Sequence, residues 1–135
     1  MKVLVDTNII LDVLCNRKDF IEDSLQVFRC CEVGRLTGYI SALSVPNILY
    51  IMRKELDESK IKEIIHTLTS IFSVVELRES DLLNALDLEF KDYEDALQGI
   101  SAKRIGADFI VTRNTKDSTA SPVPAVLPGE LLKQM

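Results

Sequence analysis

The sequence predicts an α/β protein, a three-layer α/β/α sandwich around a central, mostly parallel sheet. Three observations lead there. Short runs of strand character, rich in Val and Ile, recur along the chain; segments with helical spacing separate them; and the strand cores are continuously apolar rather than alternating. A strand buried on both faces has that composition, and parallel sheets covered by helices bury both faces.

The first run, residues 2–6 (KVLVD), passes directly into an apolar helical stretch, NIILDVL. Ile21, Leu25 and Phe28 then mark one face of a second helix. Residues 38–41 (GYIS) form the second strand-like run, and a helix beginning at Ser44 follows it. Ile61, Ile64, Ile65 and Leu68 share the i, i+3, i+4, i+7 spacing of a further amphipathic helix. Residues 73–77 (SVVEL) make the third run, the stretch from Phe90 to Gln98 opens another helix, and residues 108–112 (DFIVT) make the fourth. Residues 125–127 are a weaker fifth candidate, and residues 114–124 (NTKDSTASPVP) have loop composition. No linker, repeat or low-complexity segment divides these elements, so one domain is expected over residues 1–135.

Composition narrows the chemistry. Hydrophobic residues make up 47% and charged residues 27% of the 135, as in ordinary globular domains. No segment approaches the roughly 20 apolar residues needed to cross a bilayer, and a secretory signal pattern is missing, so a cytoplasmic location is expected. Cys15, Cys30 and Cys31 are odd in number, include an adjacent pair, and form no CxxC; they read as reduced structural thiols. With the single histidine His66 and no cysteine cluster, a nitrogen and sulfur zinc site lacks ligands, and any metal must be held by oxygen. The net charge of −5 argues against a broad basic face for nucleic acid, though bound cations can supply positive charge locally.

In an open parallel sheet, ligands bind beyond the carboxyl ends of the strands. Oxygen-bearing residues recur at those positions: Asp6-Thr7-Asn8 after the first strand, Ser44 to Asn47 after the second, and Thr112-Arg113-Asn114 with Asp117 after the fourth. Each has a plainer explanation. Asp6 serves as a helix cap; Asp92 and Asp95 have the spacing of a first-turn cap and its reciprocal partner; Asn114 and Asp117 suit a turn; and Asn47 completes a helix start capped by Ser44. Asp95, beside apolar Ala96, Ile100 and Ala102, is the acid expected to point inward. Asp12 reads as a surface or helix-face acid outside any site. Together, several carboxylates at one sheet edge would raise each other's pKa unless a divalent cation relieved them. Hard oxygen donors select Mg²⁺ or Mn²⁺, ions able to clamp a phosphodiester and activate a water for in-line attack. No Ser-His-Asp or Cys-His set competes with that scheme.

VDTNIILD, SALSVPNILYIMRK, DYEDALQ and ADFIVTRNTKD, in this order and spacing, resemble the PIN domain over almost the entire chain. The length resembles the VapC-like branch more than the larger flap-nuclease relatives. The resemblance implies a metal-dependent ribonuclease, often the toxin of a toxin–antitoxin pair, whose acids hold Mg²⁺ or Mn²⁺. Carried over position by position, Asp6 is similar to the family's first acid, Asp95 to the helix-borne acid and Asp92 to the acid that precedes it; Asp117 is similar to the late carboxylate. Asp6, Asp95 and Asp117 are thus the expected catalytic acids, with Asp92 a further metal ligand. Thr112 and Asn114 would orient ligands or water, and Arg113 and Lys116 are candidates for the RNA backbone. The implied partners are an RNA substrate, a small antitoxin and a second copy in a homodimer. The chain departs from the pattern twice: Asn47 stands where the family usually has a glutamate, and Ser118 replaces a phenylalanine. An amide coordinates through oxygen but brings no charge and no base.

Two rivals follow. A PIN fold weakened in catalysis, acting as a binding or regulatory module, is suggested by Asn47 and the acidic balance. A receiver-type or HAD-type phosphoryl-transfer domain also places Asp after its first strand, but needs a second acid where this chain has Asn8, or an adjacent acidic pair that is absent.

Overall fold

A computed structural model describes residues 1–115 and 121–135. The elements run β1 (Lys2–Val5), α1 (Thr7–Leu14), α2 (Ile21–Glu32), β2 (Thr37–Ser41), α3 (Ser44–Ile51), α4 (Glu58–Ile71), β3 (Ser73–Val75), α5 (Glu79–Asn84), α6 (Tyr93–Arg104), β4 (Phe109–Val111), β5 (Ala125–Val126) and α7 (Pro128–Lys133). The five strands form one sheet in the order β3-β2-β1-β4-β5, and every neighbouring pair is parallel.

The alternation of side chains along β1 divides the core in two. Val3 and Val5 face one side and join Ile9, Ile10, Val27, Ile48, Leu68 and Leu131, contributed by α1, α2, α3, α4 and α7. Leu4 faces the other side, with Val75, Ala102 of α6, Ile110 and Val123. Val3, Leu4 and Val5 are all fully buried, which is why this strand reads as an uninterrupted apolar run. The sandwich expected from the sequence is therefore the observed one.

Particular contacts explain where elements stop. The third strand-like run is cut short at Val75 because Glu76 turns its carbonyl to Arg104 Nη2, which donates at 2.6 Å. The fifth candidate forms only a two-residue edge strand on β4. Gly38 of β2 lies against α2 and the end of α4: a Cβ there would stand 2.5 Å from Cys31 Sγ and 2.9 Å from Phe72 Cδ1. Cys30 and Cys31 are buried, and burial pushes the Cys31 thiol up to about 12, as expected of an inert structural thiol. Among the described residues no helix is long and apolar enough to cross a membrane.

One polar group ties α5 to α6. The Asp81 side chain is buried and accepts from Arg104 Nε (3.1 Å) and Nη2 (2.9 Å) and from the Arg78 backbone N–H (3.0 Å). Burial alone would raise its pKa; the Arg104 guanidinium and the Arg78 N–H outweigh burial and hold the carboxyl below the usual carboxylate range. A depressed folded pKa gives stability that is fully present above the unfolded value of about 3.9 and lost as pH falls through the folded value. Asp81→Asn should therefore lower the melting temperature at pH 7, with the gap to the parent protein closing below about pH 4. A gap constant across that range in a pH series of thermal melts would assign the loss to packing instead of charge.

Candidate active site

The sheet order reverses at β1, whose neighbours β2 and β4 lead away in opposite directions, and the cleft at its carboxyl end is where such a sheet binds ligands. Asp6 stands there, between the last residue of β1 and the first of α1. Its backbone N–H donates to Val111 O of β4 (2.9 Å), continuing the ladder by one residue. Its carboxylate is held from both sides: Oδ1 accepts from the Thr7 N–H (2.7 Å) and Oδ2 from the Thr112 hydroxyl (2.8 Å). The helix-cap explanation of Asp6 is thus correct, and it fixes the carboxylate in place without using all of its lone pairs. Burial raises the Asp6 pKa and the nearby charge of Asp92 adds to this; the bonds from Thr112 and Thr7 and the charge of Arg113 pull the other way.

The cleft encloses about 300 Å³ and is lined by Asp6, Thr7, Asn8, Asn47, Tyr50, Ile51, Asp92, Glu94 and Asp95. The structure therefore brings Asp6, Asn47, Asp92 and Asp95 together from β1, α3 and the start of α6. Asp92 caps α6, its Oδ1 accepting from the Glu94 N–H (2.8 Å). Asn47 Nδ2 donates to Glu94 Oε1 at 2.9 Å across the cleft. Glu94 was not among the residues singled out from sequence. Burial raises its pKa; the Asn47 amide opposes this, and the charges of Asp92 and Asp6 reinforce it. The signal that could have found it is a polar stripe on α6, where Glu94, Gln98 and Ser101 follow at helical spacing and the last two are buried.

Ser44, expected to cap α3, instead lies inside the helix and fully buried. Its hydroxyl shares a 2.8 Å hydrogen bond with Thr7 Oγ1 and accepts from Gln98 Nε2 at 3.3 Å, so it ties α1, α3 and α6 together beneath the cleft. That long-range role outweighs the local cap.

The donor set suits a hard divalent cation. Four carboxylates and two amides, Asn8 and Asn47, line the cleft, so the donors on offer are oxygens, and no Lys or Arg is among its described lining residues. Among the described residues no three carboxylates already stand close enough to hold an ion.

Thr112 is buried, and besides holding Asp6 its Oγ1 accepts from the Asn114 N–H (3.1 Å), so the chain after β4 is fastened to the Asp6 carboxylate. Asn114 itself is exposed beyond the cleft's lining. Lys116, Asp117 and Ser118 lie outside the described residues. Arg113 is turned toward α2: its guanidinium carbon is 4.0 Å from the Phe20 ring centre and its Nε is 3.0 Å from Asp12 Oδ2, an ion pair not aligned as a hydrogen bond. It lines a separate cavity of about 670 Å³ between α2 and α7. Asp12 is accordingly no surface acid. Its side chain is fully buried, with Arg17 Nη1 at 3.4 Å and Ser24 Oγ at 3.4 Å besides Arg113.

Comparison with known proteins agrees with this architecture. Residues 2–116 match the sequence model of a family described as PIN domain. The protein named Ribonuclease VapC1 from Aquifex aeolicus (strain VF5) is 30% identical over 118 residues, which cover 84% of this chain and 81% of the relative. Among solved structures, VapBC2 from Rickettsia felis, bound to a DNA fragment from their promoter, superposes with a TM-score of 0.73 at 15% identity, covering 94% of this chain and 98% of that one. A toxin–antitoxin complex from Klebsiella pneumoniae gives 0.67 at 23% identity, covering 93% and 97%. FitAcB from Neisseria gonorrhoeae gives 0.67 at 17% identity, covering 94% and 98%. At those identities the structural matches establish likeness of fold.

Proposed function

Because this chain belongs to the PIN domain family, in its VapC-like branch, we propose that it is a metal-dependent endoribonuclease that hydrolyses RNA phosphodiester bonds. The observation that carries the reading is the cleft at the end of β1, where Asp6, Asp92 and Asp95 meet with no Lys or Arg among the described lining residues. Asp6, Asp92, Asp95 and, from the sequence, Asp117 would hold Mg²⁺ or Mn²⁺. When bound, the ion would polarise the phosphodiester and make a water nucleophilic near neutral pH.

The chain's own groups do the rest. The Thr7 N–H and Thr112 hydroxyl fix both Asp6 oxygens, so the carboxylate meets its cation without first losing rotational freedom. The Ser44, Thr7 and Gln98 hydrogen bonds keep α1, α3 and α6 in register under the cleft. At the rim, Tyr50 is 65% exposed with the Arg53 guanidinium carbon 4.1 Å from its ring centre, a pair suited to a stacked base and its phosphate. Arg53 and, from the sequence, Lys116 would offer local positive charge to RNA on a chain that is acidic as a whole, whereas Arg113 is turned away to Asp12 and Phe20.

Asp95→Asn tests the reading. Cleavage of single-stranded RNA should require added Mn²⁺ and should fall by about 10²-fold or more in the variant, the scale on which losing one electrostatic group in a catalytic site is felt. Equal cleavage by both proteins would remove the mechanism. The toxin–antitoxin complexes among the structural neighbours support a toxin role with an antitoxin partner; a second copy of the chain in a homodimer and a cytoplasmic location beside the RNA belong to the same proposal. Asn47 favours a second reading, a catalytically weakened fold that binds without cutting. Titration calorimetry separates the two, since a stoichiometric Mn²⁺ site lost in Asp95→Asn counts against the binding module.

A further inference from the structure

We propose that Glu94 is a further carboxylate of the cation site and that Asn47 is the positioning residue that aims it, so that the negative charge missing from position 47 is carried by position 94. The inference rests on the reading of the cleft as the catalytic site.

Three observations lead to it. Glu94 is half-buried and lines the same cleft as Asp6, Asp92 and Asp95, instead of projecting into solvent as a first-turn acid usually does. Its Oε1 is bonded at 2.9 Å to the amide of Asn47, which comes from a different helix, so the side chain is held across the cleft from α6 to α3. Its backbone N–H donates to Asp92 Oδ1 at 2.8 Å, so Glu94 is fixed beside Asp92 and Asp95, the two other acids that α6 brings to the cleft.

The pairing has a chemical logic. A carboxylate accepts and an amide nitrogen donates, so one acid and one amide facing each other at 2.9 Å satisfy each other. Two carboxylates at that separation would repel, and two amides would leave the cleft one charge short. Positions 47 and 94 together therefore accommodate one negative charge, and either position can carry it. In this chain the acid is on α6. The Asn47 amide restricts the Glu94 rotamers, as hydrogen bonds from surrounding residues orient metal-ligating side chains.

The exchange of the two side chains is the test. Wild type, Asp6→Asn, Glu94→Gln, Asn47→Ala and the double variant Asn47→Glu with Glu94→Gln would be titrated with Mn²⁺ by calorimetry and assayed on RNA, with circular dichroism to verify folding. Glu94→Gln should weaken Mn²⁺ binding roughly 10- to 100-fold, the range found when groups supporting a metal site are removed, and Asn47→Ala should weaken it less. The double variant should regain most of the affinity that Glu94→Gln loses, because it returns the acid to the same hydrogen bond from the opposite side. If Glu94→Gln fails to fold, Glu94→Asp, which keeps the charge on a shorter arm, should still bind Mn²⁺ more weakly than wild type.

Wild-type Mn²⁺ affinity in Glu94→Gln or Glu94→Asp, with affinity lost in Asp6→Asn, would overturn the role of Glu94 and leave the catalytic reading standing. A double variant that binds no better than Glu94→Gln would overturn the exchange. Unchanged Mn²⁺ binding in Asp6→Asn as well would remove the catalytic reading on which the inference rests.

Discussion

Asp6→Asn is expected to cut RNA cleavage by orders of magnitude while leaving the protein as stable as before or more so. The two effects have one cause. In the fold, the Asp6 carboxylate is pushed toward its neutral form chiefly by burial, so keeping it charged costs folding free energy in the absence of a cation. An asparagine keeps the local bonds: its oxygen accepts from the Thr7 N–H, and its amide donates to Thr112 Oγ1, whose hydroxyl now turns away. The cap on α1 is preserved and the buried charge is gone. What is lost is the negative charge at the centre of the cleft, on which the proposed cation site depends. Several kcal/mol of transition-state charge stabilisation come from a catalytic cation, so cleavage should fall by about 10² to 10⁴-fold. Thermal melts in EDTA should place the variant at or above the parent. A variant that loses activity by unfolding would show the opposite, a lower melting temperature in step with lower activity. Activity and stability moving apart is the mark of a side chain retained for function.

That Asp6 could be read from sequence at all follows from its position. A charge directly after a continuous apolar run has few structural explanations, and the parallel sheet that the run implies directs attention to its carboxyl end. The fold was legible for the same reason, since Val3, Leu4 and Val5 are buried on both faces and carry that burial in their composition. Glu94, Ser44 and Asp12 were not legible because their partners are remote. Glu94 depends on Asn47, 47 positions away, and Ser44 on Thr7 and Gln98, 37 and 54 positions away. For each, the local explanation was chemically adequate: a first-turn acid, a helix cap, a helix-face carboxylate. Local propensity cannot rank such an explanation against a tertiary contact that outweighs it. The short third strand illustrates the same limit, because the Arg104 side chain that captures the Glu76 carbonyl belongs to a helix 28 residues on.

Asp12→Ala should be among the most destabilising single substitutions on the surface of α1 that faces α2. The Asp12 side chain is fully buried, and the two arginines around it, Arg17 and Arg113, have side chains only 35% and 26% exposed. Removing the acid leaves two cations without their counter-charge and Ser24 without its acceptor. Breaking a buried ion pair by deleting one partner costs about 3–5 kcal/mol; because both arginines reach solvent in part, the lower end applies. About 3 kcal/mol corresponds to a fall of roughly 10 °C in melting temperature for a chain of this size. Activity should decline less than in Asp6→Asn, because Arg113 adjoins Thr112 but the Thr112 hydroxyl keeps its own bond to Asp6. A second variant separates charge from shape. Asp12→Leu combined with Arg113→Met replaces the pair by apolar side chains beside Phe20, and such replacements are often neutral or stabilising. The double variant should therefore recover most of the stability that Asp12→Ala loses. Thermal melts placing Asp12→Ala within 2 °C of the parent would show that Arg17 and Arg113 find water without cost, and that Asp12 is buried by accident of packing.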